Sequence, residues 1–109
     1  MAVSVNAPNS VPISKPLFRI ILDLTSESRP EVALPLAIKD WVRLRLAEAA
    51  GLRRSFEQKY GMDFAAFQQA WSEGRIAEPY SYAVERDLWE WEATVTDELR
   101  LAEILGELA

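Results

Sequence analysis

The sequence predicts a mainly α-helical protein with one N-terminal β-strand. Three observations lead there. Apolar side chains recur at the period of an α-helix over residues 31–60 and again over 82–106. Glycine, aspartate and serine stand where helices should end and begin. Upstream, residues 17–24 alternate in the way a strand does.

Residues 1–16 read as a flexible arm, because Pro8, Pro12 and Pro16 interrupt both helix and ladder hydrogen bonding. Residues 17–109 read as a single helical domain, in keeping with a chain of 109 residues. In the strand, Phe18, Ile20, Leu22 and Leu24 fall on one side, and Leu17, Arg19, Ile21 and Asp23 on the other. A lone strand leaves its backbone groups unpaired. It must pair with the arm, around residues 3–5, or with the same strand of a second chain. No other good strand follows, which favours pairing across a homodimer.

Ser28 and Glu31 have capping-box spacing, and Pro30 is tolerated in a first helical turn. A long helix should follow, over about 31–60, restarted or kinked at Pro35. Leu34, Ile38, Trp41, Val42, Ala49, Leu52, Phe56 and Tyr60 share one of its faces. Lys39, Arg43 and Arg54 lie opposite. Arg45 falls within the apolar face, so its guanidinium should reach a carboxylate or the rim of an interface. Gly61 ends this helix. Asp63 caps a short one, 64–73, with Phe64, Phe67 and Trp71 as its apolar stripe. Gly74 closes it, and a loop ends at Pro79. Ser81 caps the last helix, 82–106, with a seam of Val84, Leu88, Trp91, Val95, Leu99, Ala102 and Leu105. Arg86 and Glu90 stand four apart as an exposed pair. The two long helices should fold into a hairpin that covers only part of each stripe, leaving the rest for a partner chain.

Composition narrows the chemistry. There is no cysteine and no histidine. Thiolate metal sites, disulfides, the commonest general base and the commonest nitrogen ligand are thereby excluded. Any catalysis would rest on carboxylates, Lys, Tyr, Ser or Thr. The expectation is a protein that is not an enzyme and uses no cofactor. No apolar run approaches the roughly 20 residues of a membrane span, and the first fifteen residues lack a signal-peptide pattern. No membrane association and a cytoplasmic location are expected.

The net charge of −5 is unevenly spread. Residues 39–60 carry six cations and three anions, whereas residues 61–109 carry three cations and eleven anions. Two surfaces of opposite sign are one reading, and mutual screening within the protein is the other. In the acidic run 85–92, Glu85, Asp87, Glu90 and Glu92 are interleaved with Trp89 and Trp91. A di-iron type of site would need histidine three residues beyond a carboxylate, so this run is better read as a solvated acidic face or as a surface that docks a basic partner. Leu88 and Trp91 face the core by period. Trp89 lies off that seam, either packed under the short helix or exposed as an interface anchor. Arg19 on the strand and Lys39, Arg43 and Arg54 on the long helix are candidate phosphate contacts for DNA, or merely a solvated face. Arg19, Ile21 and Asp23 could enter a DNA groove as part of a two-stranded ribbon.

The run Tyr60-Gly61-Met62-Asp63-Phe64, followed by Phe67, Trp71, Gly74-Arg75-Ile76, Ser81-Tyr82, Val84-Glu85, Asp87 and Trp89-Glu90-Trp91-Glu92, resembles the C-terminal half of small antitoxin-like proteins common in cyanobacteria and archaea. The likeness covers roughly residues 56–100. It implies a homodimeric antitoxin that binds its operator DNA through an N-terminal segment, often of ribbon-helix-helix type. It also implies an acidic C-terminal half that covers a basic cognate toxin. Carried over, Arg19 is a DNA contact, and Trp89, Glu90, Trp91 and Glu92 are toxin contacts. The chain departs from the ribbon-helix-helix pattern in having no glycine or asparagine turn between Leu24 and Gly51. A self-associating structural or adaptor protein without nucleic-acid binding is the alternative.

Overall fold

The computed structural model describes residues 2–4 and 12–108, with side chains from residue 12 onward. Four helices dominate it: α1 (Lys15–Thr25), α2 (Pro30–Tyr60), α3 (Phe64–Ser72) and α4 (Tyr82–Leu108). The mainly helical fold is therefore as predicted. Two short strands precede the helices. β1 (Ala2–Ser4) pairs antiparallel with β2 (Pro12–Ser14), Val3 opposite Ile13. Of the expected arm, residues 1 and 5–11 lie outside the described residues.

Residues 17–24 are not a strand; they form most of α1. The expected pairing of that strand across a dimer falls with it. An eight-residue apolar run carries both periods at once, and the helical one wins. Phe18, Ile21, Leu22 and Thr25 are the half-buried positions, at the spacing of one helix face. A helix satisfies its backbone internally and needs no second strand. Pro16 sits at its start, where a missing N–H costs nothing. The Thr25 hydroxyl donates to the Ile21 carbonyl at 2.7 Å, and Ser26 turns the chain with a φ of 54°.

The capping box expected at Ser28 does not form. Arg29 is the N-cap and makes no side-chain cap bond. Glu27 instead accepts from the Arg29 backbone N–H and Nε, and Pro30 opens the helix. Pro35 lies inside α2 without ending it. The helix runs for 31 residues, roughly 46 Å at 1.5 Å per residue, and gives the molecule its elongated shape of 59 × 23 × 20 Å.

α2 and α4 form an antiparallel hairpin. The α2 seam is Val42, Leu46, Ala49, Arg53, Phe56 and Tyr60; the α4 seam is Asp87, Trp91, Thr94, Glu98, Leu101 and Leu105. All are buried or half-buried, and both repeat in alternating steps of four and three, the coiled-coil pattern. Leu99, expected in the seam, is exposed. Glu98 holds that place because Arg53 neutralises it, Nε to Oε1 at 2.7 Å, while Arg53 also binds Glu57 at 2.8 Å. Ile38, Trp41 and Leu52, expected on the inner face of α2, are also exposed.

The core sits at one end of this hairpin, where α3 packs against it. Phe56, Phe67 and Trp91 are its buried centre, with Tyr60, Phe64 and Trp71 packed around them. Trp91 stacks on Phe56 and Tyr60 with ring centres 5.5 and 5.7 Å away, and meets Phe67 at 5.0 Å. The expected punctuation holds here. Gly61 ends α2 at φ 67° and donates its N–H to Glu57. Asp63 caps α3, accepting from the Ala66 N–H at 2.8 Å. Ser81 accepts from the Val84 N–H at 3.2 Å at the start of α4. No helix of the described residues is long and apolar enough to cross a membrane.

Candidate functional site

The acidic aromatic run lies on α4, and helical geometry divides it between two environments. Trp91 points inward and is 0% exposed. Its expected role as a partner contact is therefore not available to its side chain. Trp89, two residues earlier and some 160° around the helix, is 63% exposed. Of the two readings for Trp89, the surface position is the one observed. Glu90 and Glu92 are exposed beside it. Tyr82 stands two turns before Trp89, about 10 Å along the axis, and is exposed too. The Arg86 guanidinium lies 5.8 Å from the Tyr82 ring centre and 3.8 Å from Glu90. At the adjoining corner, Tyr80 is exposed and meets Trp71 edge-on at 6.1 Å. Tyr80 and Tyr82 are not among the expected contact residues, although Tyr82 belongs to the run that carries the resemblance; their position beside the Ser81 cap was the available signal.

This outer face combines aromatic rings with carboxylates. Rings offer flat area at little entropic cost and attract cations over their faces. Carboxylates accept from Lys and Arg. The pairing suits a basic protein surface.

Beneath the outer face, Asp87 of the same run is spent on structure. Asp87 is 4% exposed and accepts from Lys59 Nζ and from the Tyr60 hydroxyl, the latter at 2.6 Å. Burial works to raise its pKa; the hydrogen bonds from Lys59 and Tyr60, with the Lys59 charge, outweigh burial and hold it below its ordinary value. Burial, followed by the bond to Asp87, pushes the Tyr60 hydroxyl well above its ordinary value. The triad joins residues 27 and 28 apart in sequence, which no local pattern reveals.

The candidate DNA contacts are not brought together. Arg19 is exposed on α1, whose helical state removes the proposed ribbon. Lys39, Arg43 and Arg54 stay on one side of α2, Lys39 half-buried and the others exposed. Arg43 is paired with Asp40 at 3.5 Å. Arg45, as expected, reaches a carboxylate, Glu48 at 3.1 Å, and lies 5.9 Å from the Trp41 ring centre.

Among the described residues, two grooves beside the hairpin can be delimited. One, about 170 Å³, is lined by Gln68, Trp71, Leu88 and Glu92. The other, about 160 Å³, is lined by Arg45, Glu48, Ala49, Leu52, Thr94 and Asp97. Both are smaller than the roughly 300–1,000 Å³ typical of small-molecule sites. No group of three or more metal-ligating side chains occurs among the described residues. No protein-family model, no curated protein and no solved structure matches the chain.

Proposed function

We propose that the chain is a non-catalytic binding protein of the cytoplasm, antitoxin-like in its manner of action, and that the outer face of α4 covers a basic protein partner. The observation that carries this reading is Trp89, a large aromatic side chain held 63% exposed between Glu90 and Glu92 while the inner side of the same helix is filled by Trp91. An exposed tryptophan ringed by polar groups is typical of an interface anchor. The excess of eleven anions over three cations in residues 61–109 supplies the complementary field.

The test is co-expression with the product of the adjacent reading frame in the native genome, followed by co-purification and calorimetry. A complex is expected. Trp89→Ala should weaken it about thirtyfold, the effect of losing a hot-spot residue. Glu90→Gln with Glu92→Gln should make its affinity less sensitive to salt. Failure of the two proteins to associate, or an affinity indifferent to Trp89→Ala, removes the reading.

A further inference from the structure

A second surface lies on α2, a quarter turn away from its seam to α4. Trp41, Arg45, Glu48 and Leu52 follow one another in steps of four, three and four, so they form a single straight stripe. Each is exposed: Trp41 by 59% and Leu52 by 46%, and the Arg45 and Glu48 side chains by 45% and 54%. Leu44 flanks the stripe and is exposed as well.

The order of these four residues is its own complement. When the stripe is laid antiparallel on a copy of itself about a point between Leu46 and Ala47, Trp41 meets Leu52 and Arg45 meets Glu48, twice over. That is the requirement for a two-fold interface, in which residue i touches j and j touches i. An apolar anchor then faces an apolar residue, and the Arg45–Glu48 pair of each copy, joined at 3.1 Å, meets the reversed pair of the other and forms a four-membered charge network.

A receptacle for the anchor is already present. The groove of about 160 Å³ between α2 and α4 is lined by Leu52 and Ala49, with Glu48, Arg45, Thr94 and Asp97 around them. It lies at the end of the stripe where a reversed copy places its Trp41. An indole could fill it, with Asp97 offering a carboxylate to the ring N–H.

The surface area agrees. The chain exposes 7596 Å², against about 6,100 Å² for a compact monomer of 12.4 kDa by the usual scaling. A stable dimer needs about 800 Å² from each partner. The elongated hairpin can cover that much and still expose as much as a compact chain.

We propose that this stripe is a homodimer interface, with two copies of α2 packed antiparallel and the Trp41 of each seated in the partner's Leu52 groove. It shares no residue with the Trp89 face of α4, so Trp89→Ala leaves it intact.

Light scattering on the full chain at tens of micromolar should give twice the 12.4 kDa monomer mass. Trp41→Ala should raise the dimer dissociation constant about thirtyfold and leave the helical circular-dichroism signal unchanged. Arg45→Glu should also favour the monomer, and Arg45→Glu combined with Glu48→Arg should restore the dimer. The cysteine-free chain allows a test of direction. A mixture of Trp41→Cys and Leu52→Cys chains should cross-link on oxidation far faster than Trp41→Cys alone, whose two thiols would stand about 16 Å apart along the axis. A monomeric wild type, a dimer unaffected by Trp41→Ala, or ready cross-linking of Trp41→Cys with itself would overturn the proposal.

Discussion

Replacing Tyr60 with Phe removes one hydroxyl and keeps the ring in the aromatic cluster. The hydroxyl donates to a carboxylate that is 4% exposed, over 2.6 Å. A hydrogen bond to a charged group contributes about 1.5–3 kcal/mol. Lys59 still holds Asp87 in the variant, and its side chain is 56% exposed, so the loss belongs toward the lower part of that range, about 2 kcal/mol. For a domain near 100 residues this lowers Tm by roughly 10 °C. Urea unfolding followed by circular dichroism and tryptophan fluorescence measures it, and its pH dependence identifies the cause. Asp87 is ionised more readily in the folded chain than in the unfolded one. The stability it supplies is complete above the unfolded carboxylate value, near 4, and is lost as pH falls through the lower folded value. The gap between wild type and Tyr60→Phe should be constant from about pH 5 to pH 8 and close in stronger acid. Tyr60 itself runs the other way. Its raised pKa means that its contribution holds below the unfolded tyrosine value, near 10, and declines as pH rises above it. Wild type should lose stability in alkali that the phenylalanine variant keeps. A gap as wide at pH 3 as at pH 7, or none at pH 7, would refute the assignment of the hydroxyl to the Asp87 carboxylate.

Trp91→Ala should cost about 3–5 kcal/mol, the cavity left by a fully buried tryptophan, and a broadened or absent unfolding transition would show it. Gly61→Ala should cost about 1 kcal/mol by denaturant titration, entirely from its φ of 67°, since no atom lies near enough to an added Cβ to clash. Asp63→Ala should cost about 1 kcal/mol through loss of the bond to the Ala66 N–H.

What the sequence made legible were the features encoded within one turn of helix. Gly61, Asp63 and Ser81 each act through residues three or four positions away, and each stands where expected. The run 17–24 misled because six apolar residues in eight satisfy a strand and a helix equally; the spacing of Phe18, Ile21, Leu22 and Thr25 held the helical answer. Ser28 shows that capping-box spacing alone does not fix a helix start when proline occupies the first helical position. The candidate site divided along the same line. A period of 3.6 put Trp91 inside, yet it left two readings for Trp89, and the tertiary packing that leaves this ring exposed has no local signature. The long-range partners Asp87–Tyr60 and Glu98–Arg53 depend on the register of two helices. Local spacing carries no information about that register.

Firmness is unevenly distributed along this rod. α1 has no buried residue, and Leu17, Ile20 and Leu24 stand in water on it, whereas the far end is locked by stacked rings and the Asp87 triad. Helices with so little covered surface open locally at small cost. Amide exchange should therefore be slowest around Phe56, Phe67 and Trp91 and fast throughout α1. A molecule that grasped α1 would be selecting a segment already free to lift away, while the opposite end kept its shape.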